Sequence, residues 1–293
     1  MIKQFFVSTL QKITVTLLSD LNKGALAQRA TVISELQDRF KKEHPENPAN
    51  HGYSVYSQNE EDGIIKRILE IIGTTNPSFI EFGVHLFENN TTNLLLNGGR
   101  GVWVDKGLTK FKVRCPSNSK LRVIDQFVTT ANIYDICQET RKYLGIDSFS
   151  DLDFLSLDLD GNDFYLIAEI LRKGVTPKVL CLEYNAKFPP PHKIKIKYNP
   201  NHTWTNNDDY FGCSLQEYVD LLLPSGYFLL ACNITGSNCF FIRKDYCNLF
   251  KILDVAALYQ PPRPFLSPFT KGGKSSDRHL LALLEGAAYK KTP

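Results

Sequence analysis

The segment from Ser78 to Asp105 constrains the fold more than any other part of this 293-residue chain. Ser78-Phe79-Ile80-Glu81-Phe82-Gly83 reads as a buried strand ending in Glu-x-Gly, and Gly101-Val102-Trp103-Val104-Asp105 as a second strand ending in an acid. A helix is expected between them, over about 88–98. Glu81 and Asp105 lie 24 residues apart, which suits one strand-helix-strand crossover. Such a unit makes a crevice shaped for a nucleoside. The turn after the first strand lets a ligand approach the backbone, and the acid closing the second can accept hydrogen bonds from a ribose.

The same alternation continues along the chain. Helices are expected over 60–72, 133–144, 163–173 and 214–223, and strands over 121–128, 154–158 and 178–183. Tyr227 to Cys232 and Cys239 to Arg243 then read as a hairpin around Asn233-Ile234-Thr235-Gly236-Ser237-Asn238. Five β-α units followed by a hairpin argue for an open α/β sheet, mostly parallel with an antiparallel edge. Residues 185–212, rich in Pro, Asn and aromatics, are too long for a simple connection, and long ordered loops are usually functional.

Flanking segments read differently. Residues 1–45 have the periodicity of two helices separated near Asn22-Lys23-Gly24, which either cover the core or pair two chains as a homodimer. A polar, Pro/Gly-punctuated linker runs from His44 to Gly52. The expected organisation is therefore a helical extension over 1–52, an α/β domain over 53–255, and a tail over 256–293 with a short helix near Asp277 to Leu284.

A net charge of +3 is too small to argue for a nucleic-acid or membrane partner, and no 18-residue apolar run offers a membrane span. The basic run His192-Lys193-Ile194-Lys195-Ile196-Lys197 reads either as a solvated loop or edge strand or as a contact for an anionic substrate. Seven cysteines without a CxxC pair, mostly inside apolar runs, point to reduced, buried thiols and a cytoplasmic location. No Walker-type, HExxH or Ser-His-Asp pattern occurs.

Five parallel strands plus a terminal hairpin is the sheet plan of class I S-adenosylmethionine-dependent methyltransferases. Tyr56-Ser57-Gln58-Asn59-Glu60-Glu61-Asp62-Gly63-Ile64 resembles the opening of a bacterial group within the FkbM-like methyltransferases. Similar in the same order are Phe79 to Val84, Glu88-Asn89-Asn90-Thr91, Gly101 to Asp105, Leu155 to Asp163, Leu182 to Pro190 and Phe211 to Leu215. The resemblance covers about residues 53–245. It implies a Rossmann-like class I methyltransferase fold with a C-terminal antiparallel hairpin and an N-terminal helical extension, binding S-adenosylmethionine. By position, Glu81 and Gly83 would border the methionine and sulfonium end, and Asp105 would hold the ribose hydroxyls. Gln58 and Asn59 would approach from the preceding segment, Val128 and Thr129 would lie near the adenine, and Asp158 would touch the donor amine. Asn59 is equally suited to cap a helix. One departure stands out: relatives usually carry Gly-x-Gly-x-x-Glu-Asn-Asn, whereas this chain places His85 and Phe87 in that turn, where glycine permits close backbone approach.

Methyl transfer asks the protein for in-line placement of the acceptor and removal of one proton. Asp160 and His202 are the candidates for that chemistry, with His192 weaker. Trp204, Tyr210 and Phe211 beside Asn206, Asn207, Asp208 and Asp209 suit a sugar or glycan acceptor, whose rings stack on aromatics and whose hydroxyls bond to amides and carboxylates. Asp158, Asp160 and Asp163, with Glu183 and Asn185, offer oxygen ligands of the kind hard cations take. Asp160-Gly161-Asn162-Asp163 is also good turn and cap chemistry, so a divalent metal is not predicted. The expected activity is O-methylation of a sugar hydroxyl. The alternative is a non-catalytic methyltransferase-like scaffold whose donor site His85 and Phe87 have closed.

Overall fold

Buried strands come from apolar runs that helices must cover on both faces. The computed structural model describes residues 24–84, 88–108, 120–205, 208–263 and 266. Its strands are β1 (Ser78–Phe82), β2 (Arg100–Asp105), β3 (Leu121–Asp125), β4 (Phe154–Leu157), β5 (Val179–Glu183), β6 (Tyr227–Cys232) and β7 (Asn238–Arg243). They form one sheet in the order β3-β2-β1-β4-β5-β7-β6. The first five are parallel, and β7 runs antiparallel to both β5 and β6. This order and direction define a Rossmann-like class I methyltransferase fold. Central β4 is buried at every position, while edge strand β3 alternates through Arg122 and stays partly open.

The helices are α1 (described over 24–43), α2 (Glu61–Ile71), α3 (Thr92–Leu96), α4 (Ile133–Leu144), α5 (Asp163–Arg172), α6 (Leu215–Leu222) and α7 (Val255–Leu258). Ile64, Ile65 and Ile68 of α2, Ile133 and Ile136 of α4, and Leu166, Ile167 and Ile170 of α5 recur at helical spacing and enter the core. α4 ends at Gly145, whose φ of +68° supplies the left-handed cap. No helix among the described residues is long and apolar enough to cross a membrane.

Two elements are shorter than the sequence predicts. α3 begins only at Thr92, because residues 89–91 serve as its cap: Asn89 Oδ1 accepts from the Thr92 amide at 2.8 Å. β3 stops at Asp125, opposite Asp105, where β2 ends and no further partner exists. The flanks also pack more closely than the expected boundaries suggest. Phe40 of α1 is buried in the core, as is Leu258 of α7, and the Tyr184 hydroxyl donates to the Gln260 carbonyl at 2.7 Å. Expectations for the first N-terminal helix and the 277–284 helix fall outside the described residues. Of the described cysteines, Cys137, Cys181, Cys213, Cys232 and Cys239 are buried free thiols.

Candidate functional site

Strand order reverses between β1 and β4, since β1 leads to β2 on one side while β4 leads to β5 on the other. In open α/β sheets the crevice outside the carboxyl ends at such a switch point is where ligands bind. Here that point is occupied by Gly83 and Asp158. Gly83 has φ +84°, and a Cβ on it would lie 1.5 Å from the Asp158 carbonyl oxygen. Only glycine fits both the left-handed backbone and the close approach. The exit of β1 is thereby held as bare backbone against the end of β4, locked by Gly83 N to Val104 O at 3.0 Å and Asp158 N to Phe82 O at 3.0 Å.

Glu81 and Asp105 flank this exit with different roles. Glu81 is buried, and its carboxylate accepts from the amides of Asn90 (2.7 Å) and Thr91 (3.1 Å) and from the Thr91 hydroxyl. Trp103 Nε1 in turn donates to Thr91 Oγ1 at 2.8 Å. Glu81 thus anchors the returning loop rather than facing the crevice with its side chain. Burial outweighs these donors and raises it to about 7. Asp105 is only partly buried, and its carboxylate accepts from Val84 N at 3.1 Å and from Lys106 N. Those bonds hold it beside the β1 exit. A carboxylate offers about four acceptor sites, so two backbone bonds do not saturate it.

The opening segment is built by three consecutive acids. Asp62 Oδ2 accepts from the amides of Val55 (2.7 Å), Tyr56 (2.7 Å) and Ser57 (3.0 Å). Glu61 binds Asn233 Nδ2 at 2.6 Å and Asn238 Nδ2 at 2.9 Å, and Glu60 binds Thr235. They bolt the start of α2 to the β6-β7 loop. Asn59 belongs to this scaffold: it is buried, and its Nδ2 donates to Ser237 Oγ at 2.9 Å. It does not cap α2; Ser57 does so, accepting from the Asp62 amide at 3.1 Å. Gln58 is exposed.

At the ends of β4 and β5 the acids converge. Asp158, Asp160 and Glu183 bring one carboxylate oxygen each within 4.8 Å of one another, a spacing that could hold a divalent cation. Asp158 and Glu183 are hydrogen-bonded, and burial together with the neighbouring acids pushes both well above the ordinary range. A shared proton relieves the repulsion. Asp160, at φ +54°, is open to solvent on one side; the surrounding protein, then Asp163 and Asp105, raise it to about 6. Asp163 is absorbed into the turn, accepting from Leu159 N and Gly161 N at 2.7 Å each. Asn185 is likewise unavailable as a ligand, because its Nδ2 donates to Asp209 O at 2.8 Å and its Oδ1 accepts from Lys187 N at 3.3 Å.

Loop 185–213 folds back over this turn. Asn162 Nδ2 donates to Asn199 O at 2.7 Å, and Gly212 N to Gly161 O at 3.1 Å. His202 consequently lies against Gly161, where a Cβ would come 2.5 Å from its ring, and its Nε2 is buried without a hydrogen-bond partner. Trp204 packs on Phe211 at 4.9 Å between ring centroids, and Tyr210 stands 6.2 Å from His202. The structure therefore gathers Gly83, Asp105, Asp158, Asp160 and His202 around one crevice. Thr129 is a cap instead: its amide donates to Asn132 Oδ1 at 2.7 Å ahead of α4. Its neighbour Thr130 bonds the Tyr198 hydroxyl at 2.8 Å, a contact with no sequence signal. The basic run is tied to α6 through Lys193–Asp220 and Lys195–Glu217, which answers the choice left open by the sequence in favour of a surface segment. His85 and Phe87 lie outside the described residues.

No protein-family model matches the chain, and no curated protein matches it either. Among solved structures it is similar to a putative hemolysin from Lactococcus lactis (12% identity, 66% of this chain and 92% of that one, TM-score 0.41). It is also similar to the Burkholderia thailandensis 1,6-didemethyltoxoflavin-N1-methyltransferase with bound S-adenosylhomocysteine (10% identity, 76% and 90%, TM-score 0.39). A third is an S-adenosylmethionine-dependent methyltransferase from Mesorhizobium loti (10% identity, 62% and 100%, TM-score 0.37). Overlaps this loose have no bearing on function. The fold is fixed by the strand order and register of the chain itself.

Proposed function

We propose that this protein is an S-adenosylmethionine-dependent methyltransferase acting on a hydroxyl of a sugar or glycan. The observation that carries the reading is the bare β1 exit at Gly83, set at the switch point between the strand-end acids Asp105 and Asp158. The crevice fits the donor chemically: Asp105 would hold the ribose diol, and the Asp158–Glu183 pair would receive the ammonium group, Glu183 Oε2 being buried without a partner. When bound, the donor supplies an electrophilic methyl group on a cationic sulfur.

The remaining work falls to residues of the chain. Asp160 and the unpartnered Nε2 of His202 stand where a proton from the acceptor hydroxyl can be taken. Trp204, Tyr210 and Phe211, fixed over the 160–162 turn, offer faces for a sugar ring, with Asp208 and Asp209 beside them. The reaction class rests on the crevice, and the acceptor class on the aromatic loop and the FkbM-like resemblance.

Calorimetric titration with S-adenosylhomocysteine tests the reading. Binding is expected, and Asp105→Ala should weaken it at least tenfold, about 1.4 kcal/mol. Absence of binding at about millimolar ligand, a regime of roughly 4 kcal/mol, would favour a non-catalytic scaffold.

A further inference from the structure

Helix α1 brings a cation to the crevice. Its less exposed positions, Arg29, Ile33, Leu36, Gln37 and Phe40, recur every three to four residues and so form one face. That face is pinned at its far end. Phe40 is buried in the core, Leu36 packs against it, and Gln37 Nε2 donates to the Gly52 carbonyl at 2.9 Å. Gly52 itself abuts Glu60, whose Cβ is among the atoms nearest to where a Gly52 Cβ would stand. Arg29 lies eight residues before Gln37 on the same face, about 12 Å along the axis. Its Nε is buried without a hydrogen-bond partner, and the carboxylates of Glu60, Glu61 and Glu88 act on its charge.

Position in the sheet decides what Arg29 could serve. Asp105 closes β2, whereas Glu60 and Glu61 are bonded to the loop between β6 and β7. From β2 to β7 is four strand spacings, roughly 19 Å at about 4.8 Å each. A donor whose ribose sits on Asp105 must extend its amino-acid end across β1 and β4 toward that side. There the described side chains are largely acidic: Asp158, Asp160, Glu183, Glu60 and Glu61. They suit an ammonium and would repel a carboxylate. Arg263, the other cation near Glu60, is already engaged, its NH1 donating to the Ile234 carbonyl and to Gln260 Oε1.

We propose that Arg29 receives the carboxylate of the donor's amino-acid end, making α1 a strap that discriminates for that group. The inference rests on the donor reading above. It is tested by measuring the affinities of S-adenosylhomocysteine and of 5′-methylthioadenosine, which lacks the amino-acid end, for wild type, Arg29→Gln and Arg29→Lys. Expected is at least a tenfold loss of S-adenosylhomocysteine affinity in Arg29→Gln, partial recovery in Arg29→Lys, and 5′-methylthioadenosine binding unchanged within twofold. Equal loss of both ligands would overturn the proposal by making Arg29 a packing residue. Unchanged affinity for both would overturn it by removing Arg29 from the site, while leaving the donor reading standing. A wild type that binds neither ligand would sink both together.

Discussion

Glu81 offers a prediction whose size and sign follow from its surroundings. Its carboxyl is buried, and burial raises it from 4.5 to about 7 despite three donors from Asn90 and Thr91. The folded chain therefore holds this proton more tightly than the unfolded chain. The resulting stabilisation is complete below 4.5 and is lost as pH rises through about 7. A shift of about 2.5 units at 1.36 kcal/mol each gives roughly 3 kcal/mol. Glutamine at this position cannot titrate, and its amide nitrogen faces a backbone N–H where an oxygen stood, a loss of about 2 kcal/mol at pH 5. The gap between wild type and Glu81→Gln should then narrow by about 3 kcal/mol between pH 5 and 8. Urea titrations at pH 5, 6, 7 and 8 measure it by linear extrapolation. A gap constant across that range would refute the reasoning, because it would mean that the three donors keep Glu81 ionised throughout.

Three further outcomes follow from the same geometry. Gly83→Ala forces a Cβ into the Asp158 carbonyl at positive φ and should cost about 3 kcal/mol of stability, read from the urea midpoint; a loss under about 1 kcal/mol would show that the turn is not constrained. Wild-type methyl transfer should fall as pH drops through about 6, where Asp160 takes up a proton, and Asp160→Asn should slow the reaction and abolish that limb of the pH–rate profile. Retention of the limb in the variant would assign it to another group. Glu60, raised to about 7 by burial and then by Glu61, adds to the decline of wild-type stability above neutrality, and Glu60→Gln should flatten the pH dependence of the melting temperature.

Sequence patterning reached the sheet because buried parallel strands declare themselves as short apolar runs. β1, β2 and β5 ended within a residue of expectation, and α4 matched at both ends, its Gly145 marking the stop. Side-chain direction at strand ends was not legible. Glu81 and Asp105 look alike as strand-terminal acids, yet only long-range packing decides that the first turns inward to the Asn90 and Thr91 amides. Asn59 and Asp163 were misread for the same reason. One bonds Ser237, 178 residues away, and the other closes the 159–161 turn with both oxygens. Arg29 and Tyr198 gave no signal, since a polar position on an amphipathic helix or in a loop says nothing about which crevice the tertiary fold sets beside it.

The central claim is that an adenosyl group lies over the Gly83 backbone with its ribose on Asp105. A crystal soaked with S-adenosylhomocysteine measures this most directly. The account predicts ligand density at the ends of β1, β2 and β4, with the ribose hydroxyls within hydrogen-bond distance of the Asp105 carboxylate. Density elsewhere on the protein, or a crevice plugged by its own side chains and closed to the nucleoside, would contradict it.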